Sequence, residues 1–239
     1  MGELEGQVAV ITGGAGGIGW ASAQEWLRRG GKVVVADLQS QEEKASRLCS
    51  AHGGAAVFQA VDTRRAEDLE RCAKVAVGLG KLSCWFNNAG FAFPDDDATS
   101  IRENGLSPEL RNMVAVNMLA HIDGAGVAMR HFDPETGGVV ICTASMAGLL
   151  PLGAPPVYSA SKAAVVQFTR SMGLTLGEGS KVRFYCLCPS YTATSQGPPV
   201  EQIQSSVGGV LRGENHISVQ LPCILLCRIA TPRACSVAG

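Results

Sequence analysis

The strongest constraint on the fold lies near the N-terminus. The bulky run Gln7-Val-Ala-Val-Ile-Thr12 leads through Gly13-Gly-Ala-Gly-Gly-Ile-Gly19 into a helical pattern from Ile18 to Arg29, which Gly30-Gly31 ends. A strand that turns through glycines into a helix exposes unpaired N–H groups and the positive end of the helix dipole, and its backbone admits a close neighbour. These are the requirements of a dinucleotide pyrophosphate. The glycines fit two spacings, Gly14-x-Gly16-x-x-Gly19 and Thr12-Gly13-x-x-x-Gly17-x-Gly19. The next strand, Lys32-Val-Val-Val-Ala-Asp37, ends in a carboxylate close to the interval at which such folds hold the adenosine ribose. Asp37 would accept hydrogen bonds from the ribose hydroxyls and repel a 2′-phosphate. No arginine stands at 14 to 18 or at 38, so NAD is expected rather than NADP.

Further strands are predicted at 55–60, 82–86, 138–144 and 181–187, with helices between them. Alternation of this kind gives an α/β architecture, a doubly wound parallel sheet (Rossmann fold) in a single domain, with the ligand over the carboxyl ends of the strands. A chain of 239 residues is long enough to bury such a core.

Chemistry is carried by Tyr158-Ser-Ala-Ser-Lys162 and by Ser145, which closes the strand run Val139-Val-Ile-Cys-Thr-Ala-Ser145. Residues four apart share a helix face, so a phenol and an ammonium would be neighbours. A cation about 4 Å from the phenol favours the phenolate by roughly 4 kcal/mol at an effective dielectric of about 20, or about three pKa units. On that arithmetic Lys162 alone brings Tyr158 from about 10 to about 7, where it serves as a base. Ser145 would hold the substrate oxygen beside it. Tyr-x-x-x-Lys alone arises often by chance; its weight comes from the strand, the serine and the upstream glycine turn together.

These residues, with Asp62, Asn87-Asn-Ala-Gly90, Asn117 and Pro189 through Thr194, stand in the order of the short-chain dehydrogenase/reductase family, which the first 195 or so residues resemble. Ser145-Met-Ala-Gly-Leu-Leu-Pro151 and Pro156-Val-Tyr-Ser-Ala-Ser-Lys162 are similar to the 15-hydroxyprostaglandin dehydrogenase-like branch. The resemblance implies hydride transfer between a secondary alcohol or ketone and NAD. Tyr158 would be the base, Ser145 would orient the oxygen, Lys162 would tune the phenol and bind the cofactor ribose, and Asn117 would hold a water that lets the proton escape. It further implies cofactor contacts from Gly13, Gly17, Ile18, Gly19, Asp37, Asp62, Asn87, Ala89, Gly90, Tyr158, Lys162, Pro189 and Thr194, and a homodimer or homotetramer paired through helices at 108–130 and 157–176. Met113, Val116, Met118, Phe168 and Met172 are the expected excess apolar surface.

Three positions depart from the family. Ser190 stands where a glycine is usual, and Pro155 where prostaglandin-oxidising relatives carry glutamine. Residues 196–239 form an atypical C-terminal segment in the place of a substrate lid and edge strand; within it 221–230 suits an edge strand at most, because of Pro222 and Arg228. That segment leaves a second reading open, a cofactor-binding protein with little or no activity. A carbonyl reductase would use the same residues in reverse.

A net charge of −1 and the lack of a basic stripe give no case for nucleic acid. No signal pattern opens the chain as given, and no apolar run approaches the roughly 20 residues that span a bilayer, so the expected location is cytoplasmic. The nine cysteines and four histidines form no metal-ligand pattern; the cysteines are expected reduced and structural. The connection from Phe93 to Leu106, with Asp95-Asp-Asp97, reads as a solvated loop in preference to part of a substrate mouth.

Overall fold

The structure, a computed structural model, describes residues 2–151 and 155–190 and the backbone of 224–228. The predicted strands form as β1 (Gln7–Thr12), β2 (Lys32–Asp37), β3 (Ala56–Ala60), β4 (Lys81–Asn87), β5 (Gly138–Thr143) and β6 (Val182–Pro189). All six are parallel, and β7 (Ile224–Arg228) is added antiparallel to β6, giving the order β3-β2-β1-β4-β5-β6-β7. β7 pairs Ile224 with Pro189 and Arg228 with Tyr185. The remaining expectations for the C-terminal segment, and the candidate Thr194, lie outside the described residues.

Between the strands run α1 (Gly17–Arg28), α2 (Glu42–His52), α3 (Ala66–Leu79), α4 (Ala98–Asn104), α5 (Pro108–Val114), α6 (Ala120–His131) and α7 (Pro156–Leu176). β1 and β2 carry bulky residues at successive positions because both faces are covered, as in any parallel sheet between helix layers. Val8, Val10, Val34 and Ala36 join the larger core cluster, which includes α3 residues, while Ala9, Ile11, Val33 and Val35 join a second cluster with Ala23 and Leu27 of α1. Beyond β4 the covering is uneven: on β5, Val140 and Cys142 are buried, while Val139 and Ile141 on the opposite face are only half-buried. Among the described residues no helix is long and apolar enough to cross a membrane.

Two expectations are corrected. The connection from Phe93 to Leu106 is not merely a solvated loop: it contains α4, capped by Asp97, whose side chain accepts from the N–H groups of Thr99 and Ser100, and it buries Asp96. Met113, expected as excess surface, is core, and Phe168 and Met172 pack against the larger cluster. Among the described residues, Leu119, Ile122 and Leu174 are exposed apolar side chains on the π-helical segment 115–119, α6 and α7.

Candidate active site

The sheet order reverses at β1, whose neighbours are β2 and β4, so the carboxyl ends of β1 and β4 flank the crevice where open α/β sheets take ligands. The glycine turn sits there. Thr12 Oγ1 donates to Phe86 O and accepts from the N–H groups of Asn88 (2.9 Å) and Ala89 (3.1 Å). Asn88 Nδ2 donates to the carbonyls of Thr12 and Gly13, and its Oδ1 accepts from Thr143 Oγ1 at 3.2 Å. The ends of β1, β4 and β5 are thus tied by one amide. Gly19 is required for close approach, because a Cβ there would stand 2.3 Å from Gly13 O and 2.7 Å from Asn88 Nδ2.

Asp37 Oδ2 accepts from Ala15 N at 2.9 Å and Oδ1 from Leu38 N at 2.8 Å. Its carboxylate braces the glycine turn at the end of β2. Each oxygen keeps further acceptor capacity for ribose hydroxyls. With the N–H groups of the turn and the space kept open at Gly19, this donor and acceptor set fits the phosphates and ribose of a dinucleotide. Asp62, beyond β3, is clamped by Arg64, which also donates to Asn112 Oδ1 at 2.6 Å; the guanidinium holds the Asp62 carboxyl below its usual range.

The two adjacent asparagines have opposite roles. Asn87 turns into the core, where Oδ1 accepts from Trp85 Nε1 at 2.9 Å and Nδ2 donates to His121 O at 3.0 Å. Its side chain is directed away from the crevice, and Asn88, which sequence reasoning did not single out, is the one that braces the turn. Alternation along a strand separates such a pair but does not say which member faces which side.

Ser145 follows β5 and opens a short turn, its Oγ accepting from Ala147 N at 3.2 Å. That turn lies directly on α7: a Cβ on Gly148 would meet the backbone of Lys162 at 2.6 Å. Tyr158 and Lys162 are one helical turn apart on α7, as expected, and the Ser145 hydroxyl is near enough to the phenol to favour its ionised form. Lys162 is almost fully buried and donates from Nζ to Thr143 O at 2.8 Å, with Nζ 5.8 Å from the Tyr158 ring centroid. Asn117 lies in a π-helical segment, Ala115–Leu119, between α5 and α6. Its amide closes a two-way pair with Phe91, Nδ2 donating to Phe91 O at 2.7 Å and Oδ1 accepting from Phe91 N at 2.9 Å. A methyl built on Gly90 would stand 3.0 Å from Asn117 Oδ1 and 3.1 Å from Lys162 Nζ, so both polar groups gather at the Ala89-Gly90 turn.

The electrostatic expectation for the phenol is corrected. Burial raises the Tyr158 pKa, and the nearby Ser145 hydroxyl only partly opposes it. The reason is that the phenol is buried, while Nζ donates to Thr143 O and stands 5.8 Å from the ring centroid. Burial also pushes the Lys162 ammonium down to about 8. Pro189 closes β6 at the same edge of the sheet, followed by Ser190.

The family model for short chain dehydrogenases matches residues 7–203. The borneol dehydrogenase, mitochondrial, of Lavandula x intermedia is 35% identical over 218 residues, covering 89% of this chain and 81% of its own. The human 15-hydroxyprostaglandin dehydrogenase [NAD(+)] is 29% identical over 223 residues, covering 90% of this chain and 79% of its own. Among solved structures, the 3-ketoacyl-(acyl-carrier-protein) reductase of Brucella melitensis complexed with NADH superimposes with a TM-score of 0.73 at 28% identity, covering 81% of this chain and 79% of that one. A short chain dehydrogenase/reductase from Burkholderia phymatum in complex with NAD gives 0.70 at 26%, covering 87% and 79%. By its sequence order, its sheet and its serine, tyrosine and lysine on the crevice, the chain belongs to the short-chain dehydrogenase family, and its fold is the family's Rossmann fold.

Proposed function

We propose that the chain is an NAD-dependent dehydrogenase of secondary alcohols, interconverting an alcohol and its ketone. The observation that carries this reading is the Tyr158 phenol beside Ser145, with Lys162 buried one turn along the same helix and donating to Thr143 O. Likeness to a borneol dehydrogenase supports the alcohol class, and likeness to an NAD-dependent human enzyme and to NAD- and NADH-bound structures supports the cofactor. When bound, NAD supplies the hydride acceptor and a positive charge near the phenol.

The chain's own residues do the rest. Ser145 holds the substrate oxygen and Tyr158 takes its proton. Asn117 stabilises the Ala89-Gly90 turn beside Lys162, where the proton leaves. Asp37 receives the ribose hydroxyls and excludes a 2′-phosphate, while Gly13, Gly17, Ile18 and Gly19 admit the pyrophosphate. Asp62, held by Arg64, and Pro189 border the adenine and nicotinamide ends. A homodimer or homotetramer is part of this reading, with Leu119, Ile122 and Leu174 as its apolar contacts.

Turnover of a panel of secondary alcohols with NAD and NADP, in wild type and Tyr158→Phe, tests it. Wild type should reduce NAD in preference to NADP, and Tyr158→Phe should lose at least about 100-fold in kcat while binding NAD as before, because only the proton-transferring oxygen is removed. Comparable kcat in the variant, or a preference for NADP, would refute the mechanism or the cofactor respectively.

A further inference from the structure

Asp95, Asp96 and Asp97 are consecutive carboxylates with three fates. Asp95 faces solvent and Asp97 caps α4. Asp96 is 1% exposed, and its oxygens reach out of their own segment: Oδ1 accepts from Val157 N at 2.9 Å and Oδ2 from Tyr158 N at 2.7 Å.

The need for this contact is written into α7. A helix opens with N–H groups that have no partner within it. The N-cap of α7 is Pro155, which has no side-chain oxygen, and Pro156 has no N–H, so the first free donors belong to Val157 and Tyr158. Both are satisfied by one residue about sixty positions earlier. One of the two donors is the backbone N–H of Tyr158 itself. A carboxylate at this end also complements the dipole of a 21-residue helix.

The segment that carries Asp96 is also anchored at its start. Phe91 is held at both backbone atoms by Asn117, and Asp96 N donates to Phe93 O at 3.3 Å. The turn after β4 and the first turn of α7 are therefore joined through one short stretch of chain.

We propose that Asp96 is a positioning residue for the reaction: by fixing the first turn of α7 it sets the Tyr158 hydroxyl against Ser145, acting through the helix backbone and not on substrate. This rests on the reading of Tyr158 as the proton-transferring group.

The test compares Asp96→Ala and Asp96→Asn with Asp95→Ala as control. It reads kcat, KM for alcohol and NAD, NAD affinity by calorimetry, and hydrogen exchange at the Val157 and Tyr158 amides. Asp96→Ala should lower kcat roughly 10- to 100-fold, the scale of a misplaced reacting group, with NAD affinity within about twofold of wild type. Asp96→Asn, which keeps one acceptor but turns an N–H toward a donor, should fall between the two. Exchange at both amides should quicken in the same order, and Asp95→Ala should match wild type. A kcat within about twofold of wild type in the Asp96 variants overturns the proposal, as does a parallel fall in kcat and NAD affinity, which would mark general loss of structure. If Asp96→Ala does not fold, Asp96→Asn decides on the same criteria. If wild type oxidises no alcohol of the panel, the functional reading fails, and the exchange rates alone decide whether Asp96 holds this turn: unchanged rates overturn it.

Discussion

Lys162 puts an ammonium where solvation is poorest. It is 3% exposed, with the Thr143 carbonyl accepting from Nζ, and burial lowers its pKa from the ordinary 10.5 to about 8. A lysine serving only to pack would be replaced by an apolar side chain at no loss, so the buried charge is better explained by chemistry than by stability. The consequence can be measured in the cofactor-free protein. Because the folded-state pKa lies below the unfolded one, folding of the charged form is penalised at all pH below about 8, and the penalty is relieved as pH rises from about 8 toward 10.5. Lys162→Met removes a penalty of roughly 3 kcal/mol at pH 7, offset in part by about 1–3 kcal/mol for the Thr143 carbonyl left unpaired. The pH dependence isolates the charge. Denaturant titrations should show Lys162→Met gaining on wild type at pH 7 relative to pH 10; a difference independent of pH would mean that the lysine is not desolvated as described.

At the scale of elements, the site depends on how the ends of β1, β4 and β5 are held together. Asn88 donates to two carbonyls of the glycine turn and accepts from Thr143. Asn88→Ala should cost about 1–3 kcal/mol, since it leaves buried polar groups without partners, and should weaken NAD binding by loosening the turn; thermal unfolding and calorimetry together check both. Losing neither would show that the turn stands on its own glycines. Much of this architecture was legible in sequence where information is local. The runs that became β1 and β2, the glycine turn between β1 and α1, and the four-residue spacing of Tyr158 and Lys162 all depend on neighbours within a few positions. What could not be read depends on distant partners. Asp96 looks like one of three solvated acids until α7 arrives above it, and Asn87 and Asn88 are distinguished only by which side of β4 faces the crevice. The phenol was misjudged for a similar reason: spacing puts Lys162 beside Tyr158, but it does not show how far the fold buries the phenol, and burial raises its pKa. The π-helical turn at Asn117 is also hidden, because apolar periodicity continues through it.

For the whole molecule, the buried groups beneath the crevice set how stability responds to acid. His121, on α6, is 2% exposed; its backbone carbonyl accepts from Asn87, and its Nε2 is buried without a hydrogen-bond partner. Burial, helped by the nearby Lys162 ammonium, lowers its pKa from 6.5 to about 3. The folded protein therefore keeps a neutral imidazole over a range in which the unfolded chain takes up a proton. Stability is complete above pH 6.5 and is lost as pH falls from 6.5 toward 3, by about 1.4 kcal/mol for each pH unit in that window. The carboxylates whose pKa is held down by partners, Asp62 and Glu70 among them, have ordinary values of 3.8 and 4.5 and begin to contribute only at lower pH. Between about 6 and 5 the loss belongs mainly to His121. For a fold whose margin is typically about 5–15 kcal/mol, that is enough to move an unfolding midpoint visibly. His121→Gln removes the titration, so the stability difference between wild type and variant, followed by urea unfolding of the cofactor-free protein, should shift against wild type by about 1.4 kcal/mol per unit as the pH drops from 6 to 5. Parallel curves for the two proteins across that interval would mean that the imidazole reaches solvent or a proton-accepting partner in the folded state, and the closed interior beneath Lys162 would have to be redrawn.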